Sequence, residues 1–417
     1  MKQSFYFGDI LNNFEQLGLE KNILRLLEEI GYQTPTPIQE KTIPKVLKGL
    51  DIIASAQTGS GKTAAFMLPG LHLLGQPGYR SKNGAQILVL VPTRELAMQV
   101  AEEAKKYSKY LSKTKTVCIY GGVPYPIQRR SLSTKYEILV ATPGRLIDHV
   151  ERGRIDLSSV KLLVLDEADR MLDMGFIGDV EKIASFTPAD RQTIMFSATI
   201  DGKILPYSKK LQNNPHTIAL EHTHDAQATI EKHLYYVDGL NHKIEVLQHL
   251  LTTSDIQQAL IFTSTIQQTE ELAYLLHEKG FLSDCLHGDM NQRQRTRVID
   301  KLRKQEIRFV VATDVAARGI DISTISHVIN FDLPFQSEDF IHRIGRTGRA
   351  GAKGTAITFS TYKEAQKLER INKLFKTPFT LQTIVGLEPK VPVAGDKTKK
   401  RRRGPFSKRR PTRAYKD

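Results

Sequence analysis

Short runs of aliphatic and β-branched residues recur along this 417-residue chain, with helix-like segments between them, and this alternation constrains the fold more than any other feature. Asp51–Ala54, Gln86–Val91, Val117–Tyr120, Ile138–Ala141, Leu162–Leu165 and Thr193–Phe196 make one set of candidate strands. Ala259–Thr263, Ser283–Leu286, Phe309–Ala312, Val328–Phe331 and Ala356–Phe359 make a second. A strand that is apolar at nearly every position must be covered on both faces, as in a parallel sheet. The stretches between, such as Glu95–Leu111 and Gln292–Lys304, carry apolar residues every three or four places and charges elsewhere. That is the spacing of amphipathic helices. The predicted fold class is therefore α/β: two tandem domains, each a parallel sheet with helices on both faces.

The expected division is a first domain over 1–210, a linker over 211–227, a second domain over 228–390 and a basic tail over 391–417. The linker is polar and contains Pro215, though a short apolar run in it could add an outer strand. Its His216, His222 and His224 have no carboxylate or thiol cluster beside them, so a solvated linker is favoured over a metal site. From Lys397 to Asp417 there are eleven Lys or Arg and one Asp, two-thirds of the chain's net charge of +15. Such a segment cannot bury an apolar core and is expected to be disordered alone. Net basicity points to an acidic partner: nucleic acid, an anionic membrane face or an acidic protein. Two cysteines, Cys118 and Cys285, exclude a disulfide framework or a cysteine metal cluster. No stretch approaches the ~20 apolar residues of a membrane-spanning helix, and no signal-peptide core is present, so a soluble, intracellular, cytoplasmic protein is expected.

Ala56–Thr63 reads AQTGSGKT between an apolar strand and a helix-like run. That context is the one a phosphate-binding loop requires. Gly59 and Gly61 let the backbone curl so that N–H groups from Ala56, Gln57, Thr58, Ser60 and their neighbours converge on phosphate oxygens. Lys62 supplies a point charge for the β/γ oxygens, and Thr63 a hydroxyl for Mg²⁺. The strand Leu162–Leu165 ends in Asp166, Glu167, Ala168 and Asp169. Carboxylates at the carboxyl end of a buried parallel strand face the ligand crevice. Asp166 is the expected Mg²⁺ anchor through water, and Glu167 the base that orients the attacking water. Acidic residues there could instead cap the following helix, which accounts for Asp169 better than for the whole set.

The tetrapeptide Asp-Glu-Ala-Asp, with the motifs around it, resembles the DEAD-box ATP-dependent RNA helicases of superfamily 2. PTREL stands at Pro92–Leu96, GG at Gly121–Gly122, TPGR at Thr142–Arg145 and SAT at Ser197–Thr199. HGDMNQRQR stands at His287–Arg295, ATDVAARGID at Ala312–Asp321 and HRIGRTGR at His342–Arg349. GYQTPTPIQ at Gly31–Gln39, with Phe14 upstream, matches the Q motif, about 12–40. The compact frame is most similar to the bacterial RhlE-type branch. The resemblance covers about Phe14 to Tyr362 and implies two RecA-like domains with ATP between them.

What the resemblance implies for single residues is specific. Gln39 would hydrogen-bond the adenine edge and Tyr32 stack on its face, and Asp321 would bind the ribose. Arg346 and Arg349 would be arginine fingers reaching the γ-phosphate from the opposite domain, where such groups contribute ~10³–10⁵ in rate. Arg343, Arg346 and Arg349 share a face only if their segment is helical. Ser197, Thr199, Asp169 and His342 would couple the ATP site to RNA, Ser197 through a contact with Asp169. Thr93, Arg94, Gly122, Thr142, Arg145, Arg295 and Thr313 would hold the RNA backbone without reading sequence. The implied activity is RNA-dependent ATP hydrolysis that separates short RNA duplexes or remodels RNA–protein complexes, such as ribosomal or mRNA-decay complexes. An ATP-gated clamp, an RNA-binding scaffold with little turnover and a DNA helicase remain open at this stage. The tail could tether RNA, solubilise the chain or act as a nuclear import signal.

Overall fold

The computed structural model describes all residues except 1–12, 57–58, 82–83, 201, 220–229, 318–321, 323, 349–352, 376 and 391–417. Gln57, Thr58, Asp321, Arg349, His222, His224 and the basic tail therefore lie outside the described residues.

Seven strands build the first sheet: β1 Ile52–Ser55, β2 Ile87–Leu90, β3 Thr116–Ile119, β4 Ile138–Ala141, β5 Leu162–Leu165, β6 Gln192–Ser197 and β7 His216–Ala219. Their order is β3-β4-β2-β5-β6-β1-β7, and every pairing is parallel. Successive strand residues enter opposite cores: Ile52 and Ala54 pack on one face of the sheet and Ile53 on the other, Val89 on one and Leu88 and Leu90 on the other. That two-sided burial is why these strands read as continuous apolar runs.

The second sheet holds β8 Ile230–Tyr236, β9 Ala259–Phe262, β10 Ser283–Leu286, β11 Phe309–Ala312, β12 His327–Asn330, β13 Gly354–Ser360 and β14 Thr380–Gln382. Its order, β10-β11-β9-β12-β13-β8-β14, repeats that of the first strand for strand. Two tandem α/β domains of one topology are thus present, as the two sets of strands predict.

Three differences from the expected layout have physical causes. The first domain does not stop at 210, because β7 pairs with β1 and buries Ile218; the expected linker therefore begins inside the first sheet. β8 escapes sequence reading because its alternation contains Lys232, which is buried and donates to Thr377 Oγ1 at 2.7 Å over the Phe375 ring. β14 is only three residues long and has two exposed side chains. Cys118 and Cys285 are free thiols, half-buried, with burial pushing Cys118 up to about 12. No helix among the described residues is long and apolar enough to cross a membrane.

Candidate nucleotide and RNA site

The strand order divides the carboxyl edge of the first sheet into two halves. The neighbours β5, β6 and β1 deliver Asp166–Asp169, Ser197–Thr199 and the glycine-rich loop to one place. The neighbours β3, β4 and β2 deliver Gly121–Gly122, Thr142–Arg145 and Thr93–Arg94 to the other. An open parallel sheet binds ligands at this edge.

In the phosphate half, Gly59 and Gly61 have φ of 84° and 87°, the left-handed region that a side chain disfavours. Gly61 has a second reason to be glycine: a Cβ there would lie 2.5 Å from Gln39 Nε2. The helix Lys62–Gly75 starts directly after it. Lys62 Nζ sits 3.1 Å from Asp166 Oδ1, and both side chains are buried. Burial opposes the ammonium charge, but Asp166 and Glu167 outweigh it and hold the Lys62 pKa above its ordinary value. Asp166 Oδ1 also accepts the Glu167 N–H at 3.0 Å. This helps hold Glu167 at φ 55°, ψ 52°, a left-handed conformation costing ~1–2 kcal/mol for a non-glycine residue.

The coupling residues are arranged differently from expectation. Asp169 Oδ2 accepts the backbone N–H of Ala198 at 3.0 Å, not the Ser197 hydroxyl. Ser197 is fully buried, and its hydroxyl has no hydrogen-bond partner among the described residues. Its carbonyl accepts the Ala56 N–H at 3.0 Å, while Ser55 Oγ donates to the Ala198 carbonyl at 3.0 Å. The backbone of this segment, rather than its first hydroxyl, links the phosphate loop to Asp169. Burial raises the Asp169 pKa, and Glu167 adds to it against the pull of Arg170 and Lys62. Thr199 is half-buried beside it.

Gln39 is buried, and both ends of its amide are engaged. Oε1 accepts the Thr36 N–H at 2.9 Å, and Nε2 donates to the Gly61 carbonyl at 3.1 Å. Thr36 Oγ1 donates to the Ser60 carbonyl at 2.8 Å, so the Q motif braces the glycine-rich loop directly. Tyr32 stacks on Phe14 with ring centroids 6.5 Å apart, and its hydroxyl lies 3.3 Å from that of Tyr107.

The second domain meets this site through the helix Ser337–Ile344. Arg170, in the short helix Ala168–Asp173, is buried and lies 3.7 Å from Asp339 Oδ1 of the second domain. His342, Arg343 and Arg346 line the same small crevice. The helix ends before Arg346, so Arg343 and Arg346 do not continue along one helical face. Arg343 is tied within its own domain, with Nε and Nη2 on the two carboxylate oxygens of Asp314 and Nη1 on Asn330 Oδ1. Arg346 Nε donates to the His342 carbonyl at 3.2 Å.

In the other half, a cleft of about 450 Å³ opens between the domains, lined by Thr93, Arg94, Thr142, Arg145 and Arg295 among others. Thr93 caps the helix Arg94–Tyr107, its Oγ1 accepting the Leu96 N–H at 3.3 Å, which leaves its hydroxyl proton available. Gly122, at φ 84°, lets the Arg94 guanidinium pack against the loop: a Cβ there would lie 2.5 Å from Nη1. Burial lowers the Arg94 pKa, and the nearby Arg295 and Arg145 lower it further against the pull of Glu95. Arg145 is fixed by Nη1 bonds to the Val123 carbonyl and Gln128 Oε1 and by the Tyr125 ring. Gly122 and Thr313 are not among the lining residues; Thr313 is half-buried at the end of β11.

Arg295 has a partner that sequence does not indicate. Its Nε donates to Glu95 Oε1 at 2.9 Å across the domain interface, and Nη2 donates to the Ala316 carbonyl at 3.2 Å. Both side chains of this pair are buried. Arg295 thus bonds Glu95 across the interface while it also lines the cleft, and Glu95, Arg170 and Asp339 join the site without having been singled out from sequence. Glu95 lies inside PTREL and Arg170 directly follows Asp169, so position within a motif was the one signal available.

Residues 36–205 match the family described as DEAD/DEAH box helicase, and residues 242–351 match the helicase conserved C-terminal domain. The ATP-dependent RNA helicase SrmB of Haemophilus influenzae is 41% identical over 383 residues, 91% of this chain and 87% of that protein. This chain belongs to the DEAD-box helicase family. Another family member, the ATP-dependent RNA helicase DeaD of the same organism, is 44% identical over 333 residues, which are 80% of this chain but 54% of DeaD. The chain therefore spans about half the length of that relative. Among solved structures, Saccharomyces cerevisiae Dbp5 bound to RNA and ADP BeF3 superposes with a TM-score of 0.80 at 33% identity, covering 89% of this chain and 95% of that one. A Dbp5 variant bound to Nup159, a Gle1 variant, IP6 and ADP gives 0.60 at 31% identity, covering 88% and 97%.

Proposed function

We propose that this chain couples RNA-dependent ATP hydrolysis to local, sequence-independent separation of short RNA duplexes or to remodelling of RNA–protein complexes. The observation that carries this reading is the meeting of two half-sites. Lys62, Asp166 and Glu167 belong to one domain, and Arg170 beside them contacts Asp339 on the helix that leads to Arg346. Neither domain holds both halves, so hydrolysis depends on closure, and RNA in the interdomain cleft favours closure through its greater affinity for the closed state.

The roles follow from position. Backbone N–H groups of the glycine-rich loop and Lys62 hold the β- and γ-phosphates. Glu167 orients the attacking water and takes its proton as the new P–O bond forms and the bond to the bridging oxygen breaks. Arg346, with Arg349 from the adjoining undescribed residues, stabilises charge on the transferring phosphoryl group. Gln39 has a spare amide hydrogen and an acceptor lone pair with which to read the adenine edge, and Tyr32 flanks it. Among the described residues no cluster of three or more His, Cys, Asp or Glu side chains is placed for a metal. Thr63 and Asp166 are hard oxygen donors that fit Mg²⁺ arriving with the nucleotide, Asp166 through water. When bound, Mg²⁺ supplies charge neutralisation on the phosphate oxygens. In the cleft, Thr93, Arg94 and Arg145 offer hydroxyl and guanidinium donors to phosphates and no set that reads base edges.

Steady-state ATP hydrolysis with and without RNA tests this. Strong stimulation by RNA, abolished in Glu167→Gln with ATP binding retained, is the expected result. Slow hydrolysis that RNA leaves unchanged would favour an ATP-gated clamp instead. The compact motif frame supports a finer placement in the RhlE-type branch. Targets in ribosomal or mRNA-decay complexes are proposed from the family resemblance, and crosslinking followed by RNA sequencing would identify them.

A further inference from the structure

A cationic surface continues outward from the RNA cleft. Tyr125 and Asp148 stand on the cleft wall. Beyond them, Arg152 and Arg154 are exposed on the turn that follows the helix Pro143–Glu151. The guanidinium carbons of Arg145, Arg152 and Arg154 lie 4.4, 5.3 and 5.5 Å from the centroid of the Tyr125 ring. The Tyr125 hydroxyl donates to Asp148, whose Oδ1 accepts Arg152 Nε at 2.6 Å. Asp148 is the carboxylate hydrogen-bonded to this group, Glu151 also acts on Arg152, and three guanidiniums are gathered on one ring. Arg129 and Arg130, exposed on the helix Tyr125–Leu132, add positive charge to the same element. Burial lowers the pKa of His149 beneath this surface, and Arg145 and Arg154 lower it further.

Gathering like charges on one ring costs repulsion that an anionic partner relieves. The surface is contiguous with the RNA cleft through Tyr125, Arg145 and Asp148, and guanidinium forks match phosphate geometry. Between the helix Tyr125–Leu132 and the turn after Glu151 the one large exposed hydrophobic residue is Ile127, too little for an apolar protein interface. We propose that Arg152 and Arg154, gathered around Tyr125, form an outer subsite for phosphates of the RNA strand beyond the stretch held in the cleft. The inference rests on the RNA reading above.

The test compares Arg152→Gln/Arg154→Gln, Arg154→Gln alone and Arg152→Lys/Arg154→Lys with the wild type. The single variant leaves the Asp148 pairing intact, and the lysine variant keeps the charge. Two probes are used: a short oligoribonucleotide that fills only the cleft, and a long one that overhangs it. Each lost single-strand phosphate contact lowers the log–log salt slope by ~0.7, so the double glutamine variant should lose ~1.4 and bind the long RNA roughly fivefold more weakly at low salt. The single variant should lose about half of that, and the lysine variant should keep most of the slope. Short-oligomer binding and the ATP hydrolysis it stimulates should be unchanged. An unchanged long-RNA slope overturns the proposal and leaves an acidic protein as the occupant. Equal losses with both probes also overturn it, because the arginines would then act on the cleft itself. Failure of the short oligomer to stimulate the wild type would sink the RNA-dependent ATPase reading, while the long-RNA comparison would still decide the subsite.

Discussion

Replacing Arg295 by alanine separates two roles that the same side chain could have. In the structure Arg295 pairs with Glu95 across the interface at 2.9 Å, with both side chains buried. Removing one partner of a buried pair costs ~3–5 kcal/mol, because the other charge is left uncompensated. Here the Glu95 carboxylate regains water whenever the domains part, so the cost falls on the closed state. Taking the lower figure, ~3 kcal/mol lowers the closed population about 100-fold. The assay is anisotropy of labelled RNA with a non-hydrolysable ATP analogue, which makes affinity report closure. Arg295→Ala should bind RNA about 100-fold more weakly there and be close to wild type without nucleotide. Glu95→Ala/Arg295→Ala should recover much of the loss, giving a coupling of at least ~1.5 kcal/mol. Strict additivity of the two single changes, together with a salt slope reduced by ~0.7, would refute the latch and return Arg295 to direct phosphate contact.

Gly61→Ala should weaken ATP binding about tenfold or more, from ~1–2 kcal/mol of left-handed strain and displacement of the Gln39 amide; calorimetric titration checks it. His149 is fully buried, bonds Gln128 through Nε2 and has no partner at Nδ1 among the described residues, and its pKa lies below the ordinary 6.5. A histidine that resists protonation contributes stability above the unfolded value and loses it as pH falls below about 6.5. His149→Gln should therefore flatten the fall in Tm between about pH 7 and 5.5, and an unchanged profile would count against it. Ser197→Ala/Thr199→Ala should impair unwinding more than ATP hydrolysis, and comparable losses of both would remove these hydroxyls from coupling. Since the Ser197 hydroxyl has no partner among the described residues, its loss alone should not lower Tm.

Legibility followed the range of the interactions involved. β4 and β5 were readable to the residue because each is uniformly aliphatic and buried on both faces. β8 was not, because buried Lys232 finds its partner, Thr377, 145 positions away. The same reason hid the roles of Glu95 and Arg170. Glu95 looks like one more acid in a first helical turn until Arg295, 200 positions on, closes over it. The expected Ser197–Asp169 contact misplaced a bond by one residue and one atom type, since side-chain reasoning alone does not anticipate a backbone N–H as the partner.

By itself the sequence determined the two α/β domains, the phosphate loop and the carboxylates opposite it. These depend on hydrophobic periodicity and on motifs whose residues are neighbours in the chain. Only the tertiary structure decided which strands lie side by side, and so that β5, β6 and β1 gather the glycine-rich loop with Asp166–Asp169 and Ser197–Thr199, while β3, β4 and β2 gather Gly121–Gly122, Thr142–Arg145 and Thr93–Arg94. Only it decided that Gln39 braces the glycine-rich loop and that Arg295 joins the domains. Those assignments depend on the distance between groups remote in sequence, and a buried charge takes its role from whichever opposite charge shares its low-dielectric surroundings.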